Sequence, residues 1–505
     1  MGTKTFSRPA AADAAATRPT AGSLPPVVAA AVVFIACGAV LVLEILSVRL
    51  IAPYVGLTLE TTTSIIGAVL AGIAVGAALG GWIADRIHPQ WLLVGLLIGG
   101  GLLVLLTVPI VRALGPAASE GGNLGAIEIT FAALVPVAAV LSGVTPTVAR
   151  LQLRDLKASG TIVGRLSAWA TAGALVGTFG TGFVLVPLFP VSNSVLAIGI
   201  MLVLAGILMG AYVRVLNLGS VGGAALITAA LALFTLAQRS PCLAESTYNC
   251  IQLEPAPDRP SAELLLLNRG YNSEVDPSDP RYLGLQYEYW LGEEITAMSP
   301  EGTPLDAVFV GGGGFTMPRW LAATRPGSRS NVLEVDGGLV EFDRQHLGLH
   351  TSPALRATVG DARVTMRREP TASANLIVGD AFSSRTVPWQ LMTTEWMHEL
   401  QRVLRPGGIY ALNMIDLNPF KLLRAEAATL LGSFTHVQMI TVTGSGRTLA
   451  GGNEVLVASD GPLPPRSEPS PGGGSTFDRA ALTRIVAGAE PLRDDYAPVD
   501  QLETR

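Results

Sequence analysis

Long stretches almost free of charge fill residues 26–238, and they restrict what this chain can fold into more than any other feature does. A helix that crosses a bilayer needs about 20 apolar residues. Seven segments meet that requirement: 26–48, 63–84, 91–114, 124–146, 164–189, 192–214 and 218–238. Charged residues make up only 14% of the chain, against about 25% for soluble proteins, and they crowd into residues 239–505. The sequence therefore predicts a multi-pass α-helical membrane bundle over residues 25–238, with the lipid bilayer as its surroundings, followed by a soluble half. Residues 1–24, rich in Ala, Thr and Pro, are expected to form a disordered tail. A signal peptide is the competing reading, since Phe34-Ile35-Ala36-Cys37 imperfectly resembles a lipoprotein cleavage box, but the apolar run continues through Leu43, so an uncleaved first span is expected.

Within the spans, glycines recur every fourth residue: Gly72, Gly76 and Gly80, then Gly95 and Gly99, then Gly173 and Gly177. Such spacing lets helix backbones approach closely. Glu44 and Arg49 are the polar exceptions of the first span. An intramembrane carboxylate is a functional candidate; the alternative is that both lie near an interface, where they snorkel or pair with a neighbour. Arg86 and His88, then Arg150, Arg154, Lys157 and Arg165, join the basic tail on one side, whereas alternate loops carry Glu60, Glu120 and Glu128, with Arg112 as the exception. By the positive-inside rule the N-terminus is cytoplasmic. Seven spans would then put the soluble half outside the cell membrane, and an even number would reverse this. Cys242 and Cys250 flank the exit from the bundle, as a disulfide in an oxidising compartment or two thiols in a reducing one. No additional Cys or His accompanies them, so no metal site is expected. A net charge of −5 without a basic block excludes nucleic acid as an expected partner.

The soluble half begins with short strands and turns, Tyr248–Leu253, Glu263–Leu267 and the turn Asn268-Arg269-Gly270, so 239–280 reads as a linker with a small β-structure. From 281 to 505 strands alternate with helices, the pattern of a Rossmann-like α/β domain with a parallel sheet covered on both faces. Strands are expected at 306–310, 330–335, 355–359, 374–379, 408–414, 434–442 and 453–459, and helices near 316–325, 337–346, 391–404, 419–431 and 477–488. The strand Asp306–Val310 runs straight into Gly311-Gly312-Gly313-Gly314, where the backbone can turn tightly and approach a ligand closely. About 20 residues on, a second strand ends in Glu334, suited to accept both hydroxyls of a ribose. Asp361 and Asp380 follow the third and fourth strands; either could be a ligand-facing acid or a helix N-cap.

Taken together, these residues resemble the spermidine synthases, especially their bacterial membrane-fused relatives, over roughly 240–502. The resemblance rests on Val310–Gly314, Glu334–Asp336, Gly360–Arg363, Asp380–Trp389, Arg405-Pro406-Gly407-Gly408 and Asp495–Asp500. It implies a methyltransferase-type sheet and the transfer of an aminopropyl group from decarboxylated S-adenosylmethionine, a co-substrate rather than a permanently bound cofactor, to an amine such as putrescine. By the same resemblance Gly311, Gly312, Gly313, Glu334, Asp361 and Ala362 would hold the nucleoside and Asp380 would be catalytic. Asn272, Tyr289 and Ser383 would border the amine, and a homodimer is the family expectation. The chain departs from the family at several points. The glycine loop lacks its acid, Ser383 replaces the second aspartate of Asp-x-x-Asp, Asn272 replaces a glutamine, and the histidine beside Tyr287 and Tyr289 is absent. Two other functions compete with this one: a different S-adenosylmethionine-dependent transfer, or a transporter or sensor whose soluble domain binds a nucleoside or polyamine without chemistry.

Overall fold

The computed structural model describes residues 24–56, 59–153, 159–268, 270–382, 387–444, 449–464 and 472–502. The expected disordered tail lies outside these except for Leu24, which is buried and accepts a hydrogen bond from Gln152 Nε2 at 2.6 Å. Among the described residues seven helical spans are long and apolar enough to cross a membrane. They are built from α1 (Pro26–Val55), α2 (Leu59–Ala84), α3 (Pro89–Glu120), α4 (Gly122–Ser142) continued by α5 (Val144–Gln152), α6 (Ser159–Gly180) continued as helix to Leu188, α7 (Val191–Tyr212) and α8 (Leu218–Ala237). α2 packs on α4, α3 on α7 and α1 on α6. α8 buries only Thr235, and large apolar side chains such as Leu70, Leu79, Leu208 and Leu226 stay more than half exposed, as a lipid-facing surface requires.

Glycine explains the closest of these contacts. A Cβ on Gly76 would stand 2.0 Å from the Ala139 carbonyl oxygen of α4, and one on Gly173 would stand 2.2 Å from the Phe34 carbonyl oxygen of α1. The expectation does not extend to Gly95 and Gly99, which face open space; on α3 the contacts are made by Gly100 against Leu141 and Gly101 against Gly199. A four-residue repeat selects a helix face, but which face meets a neighbour is set by the other helices.

The soluble half opens with a four-stranded antiparallel sheet of β1 (Ala244–Glu245), β2 (Cys250–Pro255), β3 (Glu263–Leu267) and β4 (Gly270–Val275). Cys242 and Cys250 are joined in a disulfide, which closes the alternative of two thiols. The helix α9 (Gln286–Met298), absent from the sequence reading, comes next. Tyr287, Trp290, Leu291 and Ile295 are all buried, and their spacing is the apolar stripe of a helix laid on a sheet.

There follow β5 (Asp306–Val310), α10 (Thr316–Thr324), β6 (Arg329–Glu334), α11 (Gly337–His346), β7 (Leu355–Val359), α12 (Ala362–Thr365) and β8 (Ala374–Gly379). The chain continues through α13 (Thr394–Val403), β9 (Leu404–Asp416), α14 (Lys421–Ser433), β10 (His436–Thr443), β11 (Leu449–Ser459), β12 (Ser475–Phe477) and α15 (Arg479–Val486). Their sheet has the order β12-β10-β11-β9-β8-β5-β6-β7. The five strands from β9 to β7 are parallel; β10, β11 and β12 are antiparallel, so the sheet is mixed rather than wholly parallel. The reason is local: the short link from Thr443 to Leu449 has no room for a crossover helix, and only a hairpin return is possible. Trp396, Leu400, Leu423 and Leu430 cover one face of the sheet, and Trp290, Leu291, Trp320 and Leu321 the other. The small sheet rests on α11 through Ile251, Leu265 and Val275 against Leu339 and Phe342.

Candidate active site

The chain starts its large sheet at β5, adds β6 and β7 on one side, and then returns to add β8 and β9 on the other. Two helices therefore diverge from the gap between β5 and β8, and the crevice at the carboxyl ends of those strands is where open α/β sheets take ligands. The glycine turn sits there. Gly311 has φ +98°, and a Cβ on it would lie 2.3 Å from the carbonyl oxygen of Asp380, so only glycine lets the two strand ends meet. Gly313, φ +47°, passes under β4, where Asn272 Oδ1 and Ser273 Oγ would stand 2.6 and 2.8 Å from an added Cβ. Ser273 Oγ accepts the Gly314 N–H at 3.1 Å. β4 thus covers the turn and brings Asn272 to it.

Glu334 closes the β6 side. Its Oε2 accepts from Gly312 N–H at 2.6 Å and its Oε1 from Asp336 N–H at 2.8 Å. Burial raises its pKa above the usual glutamate range, while those backbone donors oppose the rise. Each oxygen keeps a second lone pair for another donor. Asp361, one strand farther, is exposed and uses its side chain to cap α12, accepting from Arg363 N–H at 2.7 Å. Both roles foreseen for it remain compatible with its place at the strand end. Ala362 opens α12 and is buried.

Asp380 holds the β8 side. Tyr287 Oη donates to its Oδ2 at 2.9 Å and Asn413 Nδ2 to its Oδ1 at 2.8 Å. Asn413 is itself oriented by Asn453 Nδ2, 2.9 Å from its Oδ1. Burial pushes the pKa of Asp380 up to about 6 despite both hydrogen bonds, which pull it down. Next to Tyr287, Glu288 is fully buried; desolvation, with the nearby carboxylates of Asp380 and Glu274, lifts it to about 8, against the pull of the Leu285 and Gly284 N–H groups.

The tyrosine at Asp380 is Tyr287 and not Tyr289, whose ring is 46% exposed. Residues two apart on a helix point to nearly opposite sides, about 160° apart, so a helix that was not foreseen made the choice between them illegible. Ser383 lies outside the described residues. Asn413 and Asn453 were also missed; the available signal was an amide in the apolar run Ile409–Ile415 and another beside Glu454 on β11.

No family model matches the chain. A polyamine aminopropyltransferase from Vibrio vulnificus is 27% identical over 161 residues, covering 32% of this chain and 52% of that protein. The chain is similar to polyamine aminopropyltransferases over about a third of its length. A malonyl-[acyl-carrier protein] O-methyltransferase from Hahella chejuensis is 31% identical over 125 residues, 25% of this chain and 41% of that protein. The chain thus spans about half the length, or less, of these curated relatives. Among solved structures, a probable spermidine synthase from Corynebacterium glutamicum covers 52% of this chain at 24% identity, with 99% of its own length aligned and a TM-score of 0.47.

Proposed function

We propose that the soluble half is an aminopropyltransferase domain of spermidine-synthase type, tethered to the bilayer by residues 25–238 and running from about 281 to 505. The observation that carries this reading is the fixed carboxylate of Asp380, gripped on both oxygens beside a glycine turn whose far side is closed by Glu334. Glu334 accepts the ribose hydroxyls of decarboxylated S-adenosylmethionine, Gly311–Gly313 lie against the nucleoside, and Asp361 and Ala362 border the base. Asn272 bounds the site from above.

In the reaction the nitrogen lone pair of a neutral amine attacks the methylene next to the sulfonium. The new N–C bond forms as the C–S bond breaks, and its electron pair neutralises sulfur to give the thioether methylthioadenosine. The secondary ammonium so formed gives up one proton. Asp380, with a pKa of about 6, is ionised at neutral pH and is positioned to bind the incoming amine and relay that proton.

The test is release of methylthioadenosine by the purified full chain supplied with decarboxylated S-adenosylmethionine and a panel of amines, putrescine included. Asp380→Asn keeps the shape but not the base, and is expected to cut turnover about 10²-fold or more. If no amine supports release while S-adenosylmethionine donates a methyl group, the second reading, methyl transfer on the same sheet, replaces the first; the O-methyltransferase similarity favours it. Failure of any adenosyl compound to bind would overturn both.

A further inference from the structure

Where the bundle meets the soluble half, a crevice opens between the ends of α1 and α3, the start of α7 and the segment leaving α8. Two guanidinium groups line it, those of Arg49 and Arg112. Both are partly buried. Arg49 donates to the Ser246 carbonyl oxygen. Arg112 donates to the Gln238 carbonyl oxygen at 2.9 Å and to Ser192 Oγ at 3.0 Å, and its Nε is buried with no hydrogen-bond partner. Among the described residues neither arginine has a carboxylate within ion-pair distance. The one acid of the crevice, Glu245, accepts the N–H of Val191 at 2.8 Å, and its charge, with that of Asp336, attracts Arg49 without an ion-pair contact.

Two half-buried cations share one crevice with a single carboxylate, so the crevice carries more positive than negative charge, and a buried charge that is not fully paired forfeits its hydration. Arginine also presents its donors as a planar fork matched to phosphate oxygens. We propose that this crevice binds a phosphate group, held by Arg49 and Arg112. Ser192 and the wall formed by Tyr248 and Asn249 complete its polar rim. The crevice lies where the helices leave the apolar zone, the level of lipid headgroups, so the phosphate of an anionic lipid reaches it without leaving the bilayer. Inorganic phosphate has the same chemistry and could arrive from solution. The site is separate from the crevice at β5 and β8, and it stands whether or not that crevice is catalytic.

The experiment uses the full chain in nanodiscs of phosphatidylcholine alone or mixed with phosphatidylglycerol, read by native mass spectrometry, together with calorimetric titration of inorganic phosphate in detergent. Phosphatidylglycerol is expected to stay bound through delipidation where phosphatidylcholine does not, with phosphate competing for the site. The double variant R49Q/R112Q is expected to lose about tenfold or more in affinity, and R49K/R112K to recover most of it. Binding of phosphate without retention of the lipid would support the site and identify its occupant as the free anion. The proposal is overturned if the wild-type chain retains neither lipid preferentially and binds no phosphate, a result that needs no variant to fold. It is equally overturned if R49Q/R112Q binds as the wild type does.

Discussion

Asp380 and Glu454 show how a buried carboxylate acquires different work from its neighbours. Tyr287 and Asn413 stabilise the ionised form of Asp380, and burial opposes them, leaving a pKa of about 6. If ionised Asp380 relays the proton, kcat/KM rises as pH passes through about 6. Tyr287→Phe removes a donor to the ionised form, so the folded pKa climbs and the acidic limb of the profile moves to higher pH. A limb that stays in place would remove Asp380 from the role. Glu454 on β11 has no such pair of donors. One oxygen accepts the Asp416 N–H, the other is buried without a partner, and burial, followed by the Asp416 carboxylate, raises its pKa to about 9. Below the unfolded value both states carry the proton and full stability is present. As pH rises toward 9 only the unfolded chain ionises, and stability falls. Glu454→Gln is therefore expected to stabilise the protein at pH 8 by about 2 kcal/mol, with the gain vanishing near pH 4. Thermal unfolding at the two pH values measures it.

At the scale of elements, close packing and open space decide what a glycine means. The α2–α4 contact depends on Gly76, since a methyl group there would collide with the backbone of α4. Gly76→Ala is expected to cost about 1–3 kcal/mol by overpacking. Gly95 faces nothing within 4 Å, so Gly95→Ala is expected to be neutral or to gain up to about 1 kcal/mol through better helix propensity. Thermal unfolding of both variants in one detergent tests the contrast; equal losses would show that propensity and not contact governs the bundle. The small sheet has a similar logic. Its turn after β1 reaches the start of α11, where Ser246 Oγ and Asn249 Nδ2 both donate to Asp336. Asp336 caps α11 and, through its N–H, holds Glu334. The hydrogen bond from Arg49 to Ser246 brings the first span to the same chain of contacts.

For the whole molecule, seven crossings would put the start of α1 and the soluble half on opposite faces of the bundle. Arg86 and Arg150 end their helices on the tail's face, and Arg150 pairs there with Asp85 at 3.4 Å. We infer from the positive-inside rule that this face is cytoplasmic and that the soluble half lies across the membrane, a setting in which the Cys242–Cys250 disulfide persists. Fusions made after Glu245 are expected to give active alkaline phosphatase and dark green fluorescent protein. The reverse pattern would place the soluble half in the cytoplasm, beside the cytosolic pool of adenosyl donors.

What the residues alone determined is whatever repeats locally. Uncharged runs marked the spans, the change of period marked the strands and helices, and glycines and acids at strand ends marked Gly311–Gly313, Glu334, Asp361 and Asp380. Each is visible because a strand end or a helix face is built from neighbours in the chain. Tertiary structure alone decided the rest: Tyr287 over Tyr289, Asn413 and Asn453 behind Asp380, Gly100 and Gly101 over Gly95 and Gly99, and Arg49 against Ser246. These pairings join residues far apart in the chain. Their partners are chosen by how helices and sheets pack, and burial and hydrogen bonding favour the arrangement in which most polar groups inside find a match.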